Sequence, residues 1–162
     1  MQLRPHQEQA IKAMLRNDKG QVIVPTGGGK TICMIEDAKN ELSRTNTLQT
    51  IVVVAPRILL ANQLSAEFLE HIIGVDVMHV HSGETHHFST TNVDKIREFN
   101  YLSAKTNCNQ LIFTTYHSLH RITESLDIEI DTIYFDEAHN SVQQNFIEPV
   151  EYCSIYLSLI HI

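Results

Sequence analysis

The sequence predicts an α/β domain, a three-layer sandwich in which helices cover both faces of a mainly parallel β-sheet. Three observations lead there. Short apolar runs alternate with amphipathic stretches from one end of the chain to the other. Several runs are nearly continuous in β-branched residues, the pattern of strands buried on both faces of a parallel sheet. The chain has 162 residues, 43% hydrophobic and 19% charged. That is enough for one domain with its own core, and it excludes disordered and collagen-like chains.

The elements follow in order. Ile11, Met14 and Leu15 recur at helical spacing, and Gly20 reads as the stop that ends this first helix. A strand is expected at residues 21–25 (QVIVP), then a helix with Ile32, Ile35, Ala38 and Leu42 on one face. The run TIVVVA at Thr50–Ala55 is a strand. Leu60, Ala61, Leu64, Phe68 and Ile72 mark the helix after it. Val75–Val80 forms another strand, and residues 82–91 (SGETHHFSTT) are the longest loop-like stretch. Val93, Ile96 and Phe99 define a helix, followed by strands at 110–114 (QLIFT), Thr132–Phe135 (TIYF) and 154–160. Strand–helix alternation of this kind implies right-handed crossovers. There is no internal repeat or low-complexity tract.

The formal net charge is −7, which excludes a broad polyanion-binding surface. The charge is unevenly spread: residues 1–63 carry a balance of +3 and residues 64–162 one of −10. A narrow basic groove therefore remains compatible with the total. Cys33, Cys108 and Cys153 share no close spacing, so neither a disulfide framework nor a zinc knuckle is indicated. No apolar run reaches the roughly 18 residues of a membrane span, and Met1 is not followed by a basic-then-apolar leader. The expected location is the cytoplasm, with no membrane partner.

The strongest chemical signal is Val24-Pro25-Thr26-Gly27-Gly28-Gly29-Lys30-Thr31, directly after the first strand and directly before a helix. Glycines let the backbone turn with positive φ and bring N–H groups against phosphate oxygens. The helix that follows offers its positive end to the same anion. Lys30 can reach the β- and γ-phosphates, and the Thr31 hydroxyl can ligate magnesium. The strict phosphate-loop pattern has glycine where Val24 stands, so the match is to the looser P-T-G-x-G-K-T form. A glycine-rich turn that merely carries a lysine is the alternative, and the strand–loop–helix setting argues against it. Asp136-Glu137-Ala138-His139 follows the TIYF run. At the C-terminal edge of a parallel strand such carboxylates sit where open α/β sheets bind ligands. Asp136 is suited to hold magnesium through its water shell, and Glu137 to orient and deprotonate an attacking water. Alone, two acids after a strand are more often a solvated helix start; the phosphate loop upstream reverses that preference.

The order PTGGGKT, then Ala55-Pro56-Arg57-x-Leu59-Leu60-x-x-Gln63, then Thr114-Thr115-Tyr116-His117-Ser118-Leu119, then DEAH resembles the superfamily 2 DEAH-type helicases. Within them it is most similar to the branch of type III restriction motor subunits and phage DNA helicases. The resemblance runs from residue 3 to about residue 145 and implies the first, ATP-binding RecA-like domain, a P-loop NTPase fold. It implies ATP and Mg2+ as cofactors, nucleic acid as partner (DNA more than RNA), and ATP hydrolysis coupled to that partner. Gln7 in Leu3-Arg4-Pro5-His6-Gln7 matches the adenine-recognition segment. Pro56, Arg57 and Gln63 match the first strand-contacting motif, and Thr114 and Thr115 the second. His139 matches a residue that couples nucleotide state to neighbouring motifs.

Physically, Arg57 and the helix amides behind it can hold a backbone phosphate. Contacts of that kind carry no sequence code, as a translocating motor requires. A solvated arginine at an ordinary strand–proline–helix turn is the alternative. For Thr114 and Thr115 the alternative is that their hydroxyls simply cap the next helix. His81-Ser82-Gly83 is a weaker match to a third backbone-contacting turn. His79, His81, His86 and His87 cluster within nine residues, but no cysteine or well-spaced carboxylate completes a metal site. Loop and surface histidines are the expectation, with His79 and His81 on one face of their strand. Cys33 is expected to pack in the core. The family's Ser/Thr-Ala-Thr segment and its second RecA-like domain are not in these 162 residues, so the chain is expected to be truncated. A nucleotide-binding fragment without motor activity is therefore the competing reading, and binding without turnover would mark it. A small P-loop kinase is disfavoured, since nothing resembles a lid or acceptor site.

Overall fold

The computed structural model describes residues 2–16, 19–25, 29–44, 46–85, 87–125, 129–136 and 154–161. The elements run α1 (Pro5–Arg16), β1 (Lys19–Pro25), α2 (Lys30–Arg44), β2 (Thr50–Ala55), α3 (Ile58–His71), β3 (Val75–Val80), β4 (Phe88–Ser89), α4 (Val93–Lys105), β5 (Asn109–Thr115), α5 (Leu119–Thr123), β6 (Thr132–Phe135) and β7 (Ser154–His161). The strands form one sheet in the order β1-β7-β6-β2-β5-β3-β4, and every pairing is parallel.

Strand β2 lies near the middle and shows why its sequence is continuously apolar. Ile51, Val53 and Ala55 point to one face, where they pack with Met34, Ile35 and Ala38 of α2 and with Ala61, Leu64 and Phe68 of α3. Val52 and Val54 point to the other, against Ile96 of α4 and Leu119 and Ile122 of α5. All six β2 residues are buried, so neither face tolerates the polar half of an alternating strand. Two apolar clusters separated by one sheet are the three layers that the sequence predicts. Cys33 is buried in α2, as expected. No helix among the described residues is long and apolar enough to cross a membrane.

Four local expectations are corrected. Gly20 does not stop a helix. It lies inside β1, opposite Tyr156 of β7, while α1 has already ended at Arg16. A run of parallel ladder bonds along the whole strand outweighs one residue's preference for a cap. Residues 82–91 are not wholly loop, because Phe88 and Ser89 pair with Met78 and His79 as β4. A two-residue strand has no periodicity to read. Leu15 is 40% exposed, leaving Ile11 and Met14 as the buried face of α1.

The fourth concerns histidines. His79 and His81 share one strand face, but both are buried, at 0% and 2% exposure. Their burial is explained by a chain of hydrogen bonds. The Gly83 N–H donates to His81 Nδ1 (3.1 Å), which leaves His81 Nε2 to donate to His79 Nδ1 (3.0 Å). His79 Nε2 then donates to Ser65 Oγ of α3 (3.0 Å). Every ring nitrogen has a partner while both imidazoles are neutral. Burial, reinforced by the neighbouring His81 and His87, accordingly lowers the His79 pKa to about 4, and burial also lowers that of His81.

Candidate functional site

The C-terminal edge of the sheet gathers the sequence's chemical residues into two places. The first is at the start of α2. Gly29 holds φ +74°, a conformation that glycine adopts without strain. A Cβ there would also overlap the Gln7 amide. Lys30 opens α2, and Thr31 follows it, half-buried, on the first turn. The Lys30 ammonium lies 2.6 Å from Asp136 Oδ1, with the carboxylate side chain 5% exposed. Asp136 is the residue beyond β6, and its N–H donates to Val54 O (2.8 Å), so the end of the parallel ladder sets its position.

Gln7 belongs to the same place. It is 6% exposed; its Oε1 accepts from Arg4 N (2.8 Å), and its Nε2 reaches the Gly29 carbonyl at 3.4 Å. The structure thus brings Gln7, Gly29, Lys30, Thr31 and Asp136 together. Thr26, Gly27, Gly28, Glu137 and His139 lie outside the described residues.

The second place is a cleft of about 550 Å³ across the ends of β2, β5 and β3. The β2–α3 junction supplies Pro56, Arg57, Ile58 and Leu59; the turn after β3 supplies His81 and Ser82; the turn after β5 supplies Thr115, His117 and Ser118. Arg57 is exposed and is the N-cap of α3, with extended backbone and no side-chain hydrogen bond closing the helix start. The first-turn amides of α3 therefore face outward without a side-chain acceptor.

Two expected nucleic-acid residues fall elsewhere. Thr114 is fully buried, with its hydroxyl donating to Val80 O (2.7 Å). It ties β5 to β3 and neither lines the cleft nor caps a helix. The cap position of α5 belongs to Ser118, whose side chain makes no capping bond. In an alternating strand the residue beside a cleft-facing threonine points into a layer, so only one of Thr114 and Thr115 could reach the cleft. Gln63 is exposed on α3 and is not among the cleft's lining residues.

Two features escaped the sequence. Asp37 of α2 is fully buried and accepts the Tyr134 hydroxyl at 2.5 Å. Desolvation, aided by Glu41 and opposed by the Tyr134 hydrogen bond and Arg44, raises its carboxyl to about 6. The spacing of Asp37 from the buried face of α2 was readable, but its partner lies 97 positions away. The second feature is Tyr116, whose hydroxyl donates to the Asp136 carbonyl (2.8 Å).

A parallel sheet of this order, flanked by helices on both faces and carrying a glycine–lysine turn opposite an aspartate, is a RecA-like arrangement. Residues 1–159 match the family described as "Type III restriction enzyme, res subunit", and the chain belongs to that family. Solved structures share the fold. A nuclease-deletion mutant of the Type ISP restriction-modification enzyme LlaGI, in complex with a DNA substrate mimic, superposes with TM-score 0.82 at 23% identity over 98% of this chain. The DNA-bound Type ISP enzyme LlaBIII gives 0.76 at 20% over 98%. The UvsW helicase from bacteriophage T4 gives 0.70 at 14% over 99%. This chain spans 17%, 13% and 52% of those three chains, respectively. No curated protein sequence matches it.

Proposed function

We propose that this chain binds ATP with Mg2+ and hydrolyses it in response to nucleic acid, as the first of two RecA-like motor domains in a DNA helicase or translocase. The observation that carries this reading is the Lys30–Asp136 pair, 2.6 Å apart at the N-terminus of α2. A lysine and a nearly buried carboxylate at a helix start supply both charges that a nucleotide–magnesium complex needs. The residues fit the group. Lys30 would leave Asp136 for the phosphates, Asp136 and Thr31 would hold the ion's ligand shell, and the Gly29 turn would let backbone approach the anion. Bound Mg2+ would neutralise charge on the phosphates as the terminal bond breaks. Gln7, already hydrogen-bonded to the turn, would face the base. Glu137, next in the chain after Asp136, would take the proton of the attacking water, and His139 would couple nucleotide state to the neighbouring segments.

The cleft is the proposed nucleic-acid track. Arg57 and the α3 amides would hold backbone phosphate, with Thr115 and Pro56 as walls. Turnover of ATP measured with and without a single-stranded oligonucleotide tests the whole reading. Stimulation supports the motor assignment, whereas ATP binding with no turnover in either condition supports the non-catalytic alternative.

With so few cationic contacts in the cleft, oligonucleotide binding should be weak and indifferent to sequence. Arg57→Ala should weaken all sequences alike and flatten the salt dependence by about 0.7 log units per log of salt, the loss of one phosphate contact on a single strand. Titrations at several salt concentrations measure it. An unchanged slope would remove Arg57 from the track.

A further inference from the structure

Tyr116 stands between the two places described above. Its chain neighbours Thr115 and His117 line the cleft, while its own ring is 3% exposed and lies 5.8 Å from the ring of Phe135. Its N–H donates to Ala55 O (3.2 Å), immediately before Pro56 and Arg57. Its hydroxyl donates to the carbonyl of Asp136 at 2.8 Å, and the Asp136 carboxylate holds Lys30 at 2.6 Å. Ladder pairing of β6 with β2 ends at Phe135, so the Asp136 carbonyl lies past that register, where the phenol reaches it. One residue is therefore bonded to the lip of the cleft and to the residue that faces the phosphate loop.

We propose that Tyr116 is a positioning residue that couples occupancy of the cleft to the geometry of the nucleotide site. A strand held by Arg57 and the α3 amides, and lying against Thr115 and His117, shifts the turn that carries Tyr116. The hydroxyl bond passes that displacement to the main chain of Asp136, and with it to the carboxylate that competes with phosphate for Lys30. Packing alone does not call for the hydroxyl. Phenylalanine would fill the same space against Phe135, Leu119 and Ile122 in the apolar layer, and a buried hydroxyl is tolerated only with an acceptor. Hydrogen-bonded chains of this kind carry coupling where two ligands bias the same element. The inference rests on the proposed function.

Coupling is measured as a ratio of affinities. ATP–Mg2+ binding to the full chain is titrated with and without a single-stranded oligothymidylate, and oligothymidylate binding with and without ATP–Mg2+. The two ratios must agree by linkage, and a factor of about 5 or more is expected for the wild type. Tyr116→Phe should bring both ratios towards one while each ligand alone binds as before. Tyr116→Met, which keeps apolar bulk without a hydroxyl, should behave in the same way. A variant that keeps the wild-type ratio overturns the inference, as does one whose two separate affinities fall together with its melting temperature while the ratio survives. Wild-type protein that binds both ligands without coupling also overturns it but leaves the proposed function standing. Failure of the wild type to bind ATP sinks both.

Discussion

Lys30→Ala is expected to abolish most of the thermal stabilisation that ATP and magnesium confer. A ligand that binds only the folded state stabilises it by about 2.7 kcal/mol at a concentration one hundred times its Kd. For a domain of this size that corresponds to a rise in Tm of about 5–10 °C. Lys30 is the cation at the glycine turn, on the first turn of α2, and the phosphates would take it from Asp136. Without it the bound anion loses its one side-chain cation at this turn and keeps the backbone amides, the helix dipole and the magnesium that Asp136 and Thr31 would hold. The unliganded variant shifts as well, because the Asp136 side chain, 5% exposed, loses the ammonium 2.6 Å away. The diagnostic quantity is therefore the difference between melts with and without ATP–Mg2+ for each protein, not either melt alone. An undiminished difference in the variant would show that nucleotide binds somewhere other than this turn.

The second large effect is on stability and its pH dependence. Asp37 is raised from 3.8 to about 6, so the folded chain retains a proton there that the unfolded chain gives up. Stability from this group is full below about pH 4 and declines by about 3 kcal/mol as pH rises to about 6, where it levels off. His79 has the opposite sign. Its pKa falls from 6.5 to about 4, so its contribution is full above pH 6.5, and a similar amount is lost as pH falls to about 4. The two oppose each other over nearly the same interval, and wild-type stability should vary little between pH 4 and 6.5 on their account. Asp131, raised by burial, acts in the sense of Asp37, and His81 in the sense of His79.

Asp37→Asn keeps an acceptor for the Tyr134 hydroxyl and removes the buried charge. It should match the wild type near pH 4 and exceed it by up to about 3 kcal/mol at pH 8, with a curve that now climbs through the histidine interval. Denaturant or thermal melts across pH 4–8 would falsify the assignment if the variant proved less stable at pH 8 than the wild type.

What the sequence determined by itself is whatever has a local cause. The parallel, doubly covered sheet was readable because residues 51–55 of β2 and 111–113 of β5 are continuously apolar, as burial on both faces favours. The Gly29–Lys30–Thr31 turn was readable because a glycine, a lysine and a hydroxyl stand at adjacent positions at the start of a helix. Asp136 was readable as the acid at the end of a strand. What only the tertiary structure decided depends on partners distant in the chain. Gly20 became strand because β7 supplies a ladder, and Phe88–Ser89 became strand because β3 does. His79 and His81 are interior because Ser65 and the Gly83 amide complete their hydrogen bonds. Thr114 turned from the cleft because Val80 accepts its hydroxyl, which left the cleft to Thr115. Asp37 with Tyr134 and Tyr116 with Asp136 meet across 97 and 20 positions. A buried polar group is stable only where its partner is, and spacing along the chain carries no record of which partner the fold will bring.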